Sequence, residues 1–306
     1  MNKKSLVPLL LLVVASLTAC KHVAVRETAK TPQTLTVGAW NMEWLGNTNR
    51  RSDQPDPHVI ANYIQNSHVQ VLGLEEICET EPGTLNNVIL NQTVGLLSAN
   101  GAHWHYRMFD SHTERGQNTG IMWNADVVTA SDSIEIPVDH GQSSANLKKW
   151  DRAPYATQFS TGKGKTDFVL IPVHMKSNIG GGTTVPHRNE EAQTLISALP
   201  KVEEHFRGNK GVERDIVIAG DFNTMKHSED CIASYEAAGF VDLNPQDILT
   251  EKSHRYPPAP FDRVLVPTAQ PEFQSHKFAM AEDGFVEGLS DHHLVTTEMT
   301  IQRDDD

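Results

Sequence analysis

Cysteine is scarce in this sequence, and neither the cysteines nor the histidines have the spacing of a zinc site. Cysteines occur only at positions 20, 78 and 231 of 306, which argues against a zinc ribbon. Basic residues are also in the minority, with 26 lysines and arginines against 39 aspartates and glutamates and a net charge of −13. This charge disfavours broad binding of phosphate backbones, although bound divalent cations can invert the local field at a catalytic site. The chain also lacks internal repeats and any long apolar hairpin suited to entering a bilayer.

The first 20 residues have the organisation of an export signal rather than of a folded segment. Lys3 and Lys4 precede an apolar run at positions 6–14 that is too short to span a bilayer. The sequence LTAC at 17–20 is similar to the end of a bacterial lipoprotein signal, which predicts a signal peptide over residues 1–19 and lipidation of Cys20. Lys21 fits the pattern associated with the outer membrane, so we expect a lipid-anchored protein of the bacterial cell envelope. The alternative is an ordinary secretory peptide with an incidental cysteine.

Two cysteines, Cys78 and Cys231, remain after Cys20 is assigned to the lipid anchor. In an exported protein an even number of cysteines suggests a disulfide. The count favours a bond between these two, but the sequence does not show that they meet in space.

The rest of the chain predicts a single α/β domain over residues 34–302, between a polar tether at 20–33 and an acidic tail at 303–306. Strand-like apolar segments alternate with a few helical ones, and no internal linker separates them. This interleaving favours two packed sheets with helices against them. The predicted strands include 34–40, 69–74, 167–173 and 261–266, and the predicted helices are 57–65, 85–97 and 187–206.

The segment DIVIAGDFNT at 215–224 is the most informative stretch of the domain. Its four apolar residues predict a buried strand, and Gly220 ends that strand in a tight turn. The turn leaves Asp221 and Asn223 just beyond the strand, where side chains of an open α/β sheet line the ligand crevice. These two groups can hold a water, a metal or a phosphate oxygen. The alternative is a turn that caps the following helix.

Four further segments place acids, amides or histidines next to apolar strands, and none of them is specific alone. A single histidine such as His174 is commonly structural, and Asp262 followed by Arg263 is compatible with a surface ion pair. The pair Glu75 and Glu76 is compatible with a solvated loop. The complete set of such positions is Asn41 and Glu43, Glu76, His174, Asp221 and Asn223 with Asp262, and Asp291 with His292.

Taken together and in this order, the segments resemble the endonuclease/exonuclease/phosphatase superfamily, whose members include deoxyribonuclease I and exonuclease III. The matching motifs are WNMEWL at 40–45, LGLEEI at 72–77, VHMKS at 173–177, GDFNT at 220–224, FDRVLV at 261–266 and SDHHLV at 290–295. The resemblance spans residues 35–300. It implies a four-layered αββα sandwich with two packed mixed β-sheets, and a divalent-metal-dependent phosphodiester hydrolase.

The resemblance also implies roles for the matched residues, and the chemistry of their side chains agrees with those roles. His292 is the expected general base, since imidazole titrates near neutral pH, and Asp262 is expected to orient it. Asp221 and Asn223 would position the attacking water, and His174 would bind a phosphoryl oxygen. The expected ligands of Mg²⁺, or of Mn²⁺ or Ca²⁺, are Glu76, Glu43, Asn41 and Asp291.

Two positions depart from the family pattern. The usual Gln-Glu pair is Glu75-Glu76 here, and the extra carboxylate is expected either to strengthen cation binding or to face solvent. His174 lacks the acid or tyrosine that supports it in relatives, and the matching loop offers Gln117 or Asn118 instead. Because an amide does not stabilise an imidazolium, the protonation state of His174 is left open. Arg152 sits where many relatives carry an arginine ahead of a strand.

The substrate is less determined than the reaction, because this fold serves many substrates. Our first hypothesis is a cell-surface nuclease that cleaves DNA, or RNA, as a monomer, with no protein partner indicated. The second is a phospholipid or sphingomyelin phosphodiesterase or an inositol-phosphate phosphatase, and the third is a non-catalytic surface-binding lipoprotein. Loop residues Arg115, Lys148 and Lys149 either contact the nucleic-acid backbone or are solvated charges. The residues expected to contact substrate are Asn118, Lys176 and Arg188.

Overall fold

Twelve strands form two six-stranded mixed sheets in the computed structural model, which describes residues 33–113, 115–139, 150–179, 183–208, 211–253, 257–281 and 288–304. The strands of the first sheet are β1 (Gln33–Leu45), β2 (Val71–Ile77), β3 (Trp104–Met108), β4 (Asn118–Asn124), β11 (Phe278–Met280) and β12 (Val295–Ile301). Those of the second are β5 (Thr129–Glu135), β6 (Tyr155–Ser160), β7 (Asp167–His174), β8 (Ile216–Asp221), β9 (Phe240–Asp242) and β10 (Asp262–Pro267). Their orders are β11-β12-β1-β2-β4-β3 and β5-β6-β7-β8-β10-β9.

Among the described residues, four helices cover the outer faces of the sheets, and a one-turn 3-10 helix lies at Pro271–Phe273. The helices are α1 (Pro57–Asn66), α2 (Val88–Leu97), α3 (Thr184–His205) and α4 (Asp230–Ala237). Helices α1 and α2 share a buried apolar cluster with the first sheet, and α3 and α4 share another with the second. A third cluster fills the space between the sheets. The predicted αββα sandwich is therefore confirmed.

The parallel pairs in the sheet centres explain where polar side chains gather. Strand β1 runs parallel to β2, and β7 runs parallel to β8, so each pair brings its carboxyl ends to one edge. Strand β10 is antiparallel to β8 and starts where β8 ends, so Asp262 lies opposite Asp221 in the register. Residues of β7 and β8 are almost all buried because both faces of the sheet are covered, which produces their continuous apolar runs.

Local sequence signals account for several element boundaries. Helix α1 begins after Asp56, whose carboxylate accepts a hydrogen bond from the backbone N–H of His58, and Pro57 occupies the first helical turn. Helix α2 begins at Val88 and not at residue 85, because Asn87 caps it by accepting from two backbone N–H groups. Helix α3 continues through Pro200. Helix α4 and the three-residue strands β9 and β11 were not predicted from the sequence.

The structure does not support the disulfide that the even number of cysteines suggested. Both Cys78 and Cys231 are free and buried. Cys78 follows β2 of the first sheet, whereas Cys231 lies on α4 and packs in the apolar cluster of the second sheet. Their positions on opposite layers explain why an even count of cysteines was misleading.

The predicted signal peptide, the lipidated Cys20 and nearly all of the tether lie outside the described residues. Among the helices that the structure does describe, none combines the length and the apolar character that crossing a bilayer requires. The described residues from 33 onward form one compact unit.

Candidate active site

A histidine–carboxylate pair lies where the two sheets meet at the carboxyl ends of their central strands. The Nδ1 atom of His292 is 2.8 Å from Oδ2 of Asp262, and both side chains are buried. The other ring nitrogen, Nε2, lies 4.0 Å from Oδ2 of Asp221 and 3.9 Å from Oδ1 of Asp291. Asp262 therefore fixes the imidazole orientation and leaves Nε2 as the atom that faces the remaining polar groups.

The surroundings of His292 favour its protonated form. Burial alone acts to lower the pKa of His292, but the charge and hydrogen bond of Asp262 oppose this, and Asp221 and Asp291 add to their effect. The net result is a pKa well above the ordinary histidine value. The imidazolium that forms when a base accepts a proton is thus stabilised by Asp262.

Asp221 is the central acceptor of the site. Its Oδ2 accepts a hydrogen bond of 3.1 Å from Nδ2 of Asn41 and lies 3.5 Å from Nε2 of His174. Its Oδ1 accepts from the backbone N–H of Asn223 at 2.8 Å. Burial raises the pKa of Asp221, against the opposing charge of His292. One carboxylate thus links residues that belong to both sheets.

His174 is buried and is held in its neutral form. Burial lowers the pKa of His174 well below its ordinary value, and the positive charges of Arg152 and His292 add to this effect. The expected partner Gln117 does not bind His174, since its Oε1 instead accepts from Nη2 of Arg152 at 2.6 Å. The amide therefore fixes the arginine, and the arginine acts on His174 through its charge.

Three carboxylates and one amide form the predicted cation site. The expected ligands are Asn41, Glu43, Glu76 and Asp291. Burial raises the pKa of Asp291 to about 6, with Glu43 and Glu76 adding to the increase against the charge of His292. Glu43 and Glu76 also adopt left-handed backbone conformations, with φ of 45° and 56°. Such values are uncommon for residues with a Cβ and are concentrated at functional sites.

These oxygen donors fit a hard divalent cation by their chemistry and their charge, because a cation would offset both the burial and the neighbouring negative charges that raise the pKa of Asp291. In the part of the chain that the structure describes, no three histidine, cysteine, aspartate or glutamate side chains are grouped closely enough to hold an ion together. Mg²⁺ usually takes only one or two carboxylates and keeps several water ligands, so its binding does not depend on such a group.

Glu75 does not face solvent, which excludes one of the two expectations for the extra carboxylate. It is fully buried between the sheets, and neither of its side-chain oxygens has a hydrogen-bond partner within the described residues. Burial, followed by the charges of Asp262 and Asp221, raises the pKa of Glu75 well above the ordinary value. A Cβ at Gly220 would lie 2.8 Å from Oε1 of Glu75, so this glycine makes room for the carboxyl group.

Two residues that the sequence did not single out for this purpose hold the segment before β12 in place. The hydroxyl of Ser290 donates to the backbone oxygen of Asn41 at 2.7 Å and accepts from the backbone N–H of His292 at 3.0 Å. Arg51 donates to the backbone oxygen of Glu43 at 3.3 Å and to two backbone oxygens just before Ser290. The sequence could have indicated Ser290, because it lies inside the SDHH motif. Arg51 lies in none of the matched motifs, so nothing in the sequence pointed to it.

The three residues expected to contact substrate differ in their accessibility. Asn118 is 6 % exposed and its Oδ1 accepts from the backbone N–H of Ser111 at 3.3 Å. Lys176 is partly exposed, but its Nζ lies 3.2 Å from a carboxylate oxygen of Asp151. Arg188 is 0 % exposed, which argues against the prediction that it contacts substrate. Lys148 and Lys149 lie outside the described residues.

Comparison with known proteins identifies the family. The sequence profile of the Endonuclease/Exonuclease/phosphatase family matches residues 38–292, so the chain belongs to this family. No sequence among the curated proteins matches the chain.

Several solved structures share the fold at low sequence identity. An endonuclease/exonuclease/phosphatase family protein from Bacteroides thetaiotaomicron is 16% identical, with a TM-score of 0.58, and the match covers 90% of this chain and 99% of that one. The human Nocturnin catalytic domain with bound sulfate is 14% identical, with a TM-score of 0.57 and coverages of 88% and 95%. A mannosyl-6-phosphatase from Bacteroides thetaiotaomicron is 16% identical, with a TM-score of 0.55 and coverages of 88% and 99%. At these identities the likeness concerns the fold.

Proposed function

We propose that this protein is a divalent-metal-dependent phosphodiester hydrolase in which His292 activates a water molecule. The observation that carries this proposal is the 2.8 Å contact between His292 and Asp262, placed so that Nε2 faces Asp221. Family membership supports the reaction class, and the similarity to a mannosyl-6-phosphatase agrees with hydrolysis of phosphate esters.

In the proposed mechanism the chain itself supplies proton transfer, positioning and charge stabilisation. Nε2 of His292, in the neutral form that the positive charge of a bound cation would favour, accepts a proton from water, and Asp262 stabilises the imidazolium that results. Asp221 and Asn223 hold the water in line with the phosphorus atom. His174 is neutral, so it donates a single N–H to a non-bridging phosphoryl oxygen as negative charge develops there.

A cation completes this arrangement. Asn41, Glu43, Glu76 and Asp291 would hold Mg²⁺, Mn²⁺ or Ca²⁺, since all four supply hard oxygen ligands. When bound, the ion would neutralise the charge on the phosphate and on the leaving oxygen.

DNA is the substrate that we propose first. The FDRVLV motif and the compact motif spacing resemble deoxyribonuclease I more than the lipid-cleaving relatives, and Arg115 is exposed on a loop next to β4. A small phosphorylated substrate, such as an inositol phosphate, or a phospholipid is the second candidate. Two observations favour it, since Lys176 is paired with Asp151 and Arg188 is buried, which leaves fewer cations for a nucleic-acid backbone.

A substrate panel tests both candidates. Residues 21–306 would be assayed with and without Mg²⁺, Mn²⁺ and Ca²⁺ against double-stranded DNA, RNA, bis-p-nitrophenyl phosphate, sphingomyelin and an inositol phosphate. Metal-dependent DNA cleavage that is lost in His292→Ala supports the nuclease proposal. If only the lipid or the small esters are hydrolysed, the proposed catalytic centre stands and the second candidate substrate replaces DNA. Inactivity on the whole panel contradicts the proposed function and favours a binding protein.

The cell-envelope location is a separate proposal that depends on Cys20. Wild-type protein expressed with its own leader in a bacterial host should sediment with the membranes. Cys20→Ser removes the thiol that a lipid would modify, so this variant should leave the membrane fraction. Continued sedimentation of Cys20→Ser with membranes would contradict the lipid anchor.

A further inference from the structure

Arg188 forms a buried ion pair that reaches one of the active-site loops. The guanidinium lies on α3 and is completely buried. Its Nε and Nη2 atoms donate to Oε2 of Glu229 at 3.2 and 2.7 Å. Glu229 is the residue just before α4, and its other side-chain oxygen accepts from the backbone N–H of Met225 at 2.7 Å. Through Glu229, Arg188 thus fixes the segment that follows β8 and contains Asn223.

The same guanidinium also reaches the loop that follows β7. Its Nη1 atom donates to the backbone oxygen of Lys176 and to Oδ1 of Asn178, both at 3.1 Å. Because a guanidinium has donors only, Asn178 must present its oxygen to Arg188 and its NH₂ group to the opposite side. On that side, Nδ2 of Asn178 donates to the backbone oxygen of Asn223 at 2.7 Å. The charge of Arg188 thereby sets which way the Asn178 amide points.

Asn223 needs such support because its backbone is left-handed, with φ of 53°. This conformation is unfavourable for residues with a Cβ, although asparagine tolerates it better than most. Its backbone N–H donates to Asp221 at 2.8 Å, and its Nδ2 donates to the backbone oxygen of Met175 at 3.2 Å. The bond from Asn178 is the third attachment, and it is the one that Arg188 controls.

We propose that Arg188 is a positioning residue for Asn223 that acts through Asn178 and Glu229. The guanidinium does not touch substrate. It orders two loops from opposite sides, so that Asn223 meets the attacking water with its side chain already oriented. The effect on catalysis rests on the proposed function, in which Asn223 positions the attacking water, whereas the ordering of the loops does not.

A double-mutant cycle distinguishes this role from a purely structural one. Asn178→Ala removes the link between Arg188 and Asn223 and leaves the buried ion pair intact. We expect it to lower kcat by about 10- to 100-fold with little change in KM, since misplacement of a positioning group acts mainly on the chemical step. Added to Asn223→Ala, the same change should have no further effect, because the group that it positions is already absent. Losses that multiply, or a wild-type kcat in Asn178→Ala, would overturn the proposal.

Two further variants complete the design. Arg188→Lys keeps the charge but offers a single ammonium that does not serve Glu229 and Asn178 at once, so its kcat should fall as in Asn178→Ala. Ser234→Ala is the matched control. It removes the 2.8 Å hydrogen bond from Ser234 to Asn189, which joins α4 to α3 one residue from Arg188 without contacting either loop. Its kcat should stay within about twofold of wild type.

Hydrogen exchange provides a test that needs no activity. The amide N–H groups of Asn223 and Met225 are bonded to carboxylates in this network. A peptide covering residues 222–226 should exchange about tenfold faster in Asn178→Ala and Arg188→Lys than in wild type and Ser234→Ala, because the loop opens more often. Equal exchange in all four proteins overturns the proposal. If wild-type protein hydrolyses no phosphate ester, the proposed function fails, and the exchange result still decides whether Arg188 orders the loop.

Discussion

Asp262 and His292 are 30 positions apart in the chain and meet through a 2.8 Å contact between Oδ2 and Nδ1. They meet because β10 starts where β8 ends, with Asp262 opposite Asp221, and because Ser290 bonds the segment before β12 to Asn41 of β1. The contact occupies one ring nitrogen of His292. Proton transfer is therefore confined to Nε2, which faces Asp221 and Asp291.

Asp262→Asn tests this contact. The amide keeps the size of the side chain but does not stabilise an imidazolium, so kcat for a phosphodiester should fall by about 10³-fold. The thermal unfolding midpoint should show that the variant remains folded. Asp126→Asn is the matched control, because Asp126 forms a 2.6 Å contact with the exposed His103 far along the chain from the site motifs. A near wild-type kcat in Asp262→Asn would contradict the role of the pair.

Glu76→Gln tests the predicted cation site. Loss of one carboxylate from the ligand set should raise the Mg²⁺ concentration for half-maximal activity by about 10- to 100-fold. Titration calorimetry with Mn²⁺ should show the same loss of affinity without substrate. Glu81→Gln, at an exposed loop position, is the control and should bind as wild type does. Unchanged Mn²⁺ affinity with reduced activity would show that Glu76 is not a ligand.

The sequence predicted which polar residues lie at the carboxyl ends of the central strands, because strand ends and short motifs are local features. Asp221 and Asn223 follow an unbroken apolar run, and Asp262 and His292 lie in short motifs that match the family. The burial of charged groups is set by tertiary packing instead. In the sequence, Arg188 looks like an ordinary charged residue on the exposed face of a helix. Only the folded structure shows that its guanidinium is bonded to Glu229 and Asn178.

Short elements and long-range pairings were missed for related reasons. Helix α4 has eight residues and strands β9 and β11 have three each, which is too little for periodicity to register. The free state of Cys78 and Cys231 depends on their placement in different layers, and no spacing encodes that. The burial of Glu75 depends on the neighbouring sheet at Gly220.

Gly220→Ala tests how closely β8 packs against its neighbouring strand β7 beneath the site. Gly220 has φ of +143°, and a Cβ there would lie 2.1 Å from the backbone oxygen of Val173. Backbone strain and this clash should lower the free energy of unfolding by about 3 kcal/mol or more. Gly95→Ala, on α2 with no atom within 4 Å of its added Cβ, should instead raise it by up to about 1 kcal/mol. Chemical denaturation measures both, and equal stabilities would contradict the packing described.

Glu191→Gln tests a buried carboxyl on α3. Burial raises the pKa of Glu191 from 4.5 to about 8, against the opposing hydrogen bond from the backbone N–H of Lys176. Between pH 4.5 and about 8, the folded chain thus retains a proton on Glu191 that the unfolded chain has released. The free energy of unfolding should therefore fall as pH rises, by up to about 1.4 kcal/mol per pH unit.

The glutamine variant has no carboxyl group to titrate at this position. The difference between its melting temperature and that of wild type should therefore shift in favour of the variant as pH rises from 5 to about 8. Glu190→Gln alters the neighbouring, partly exposed position and serves as the control. If the melting temperatures of Glu191→Gln and wild type change with pH in the same way across this range, Glu191 is ionised in the folded protein.

The most direct test of the account is the rate of bis-p-nitrophenyl phosphate hydrolysis by His292→Ala in the presence of Mg²⁺, with and without added imidazole. If His292 is the general base, kcat should fall by about 10²- to 10⁴-fold while the unfolding midpoint changes little. Imidazole in solution should restore part of the lost rate, because it supplies the missing base at the vacated position. A variant that retains more than half of the wild-type kcat would contradict the central claim that Nε2 of His292 activates the water.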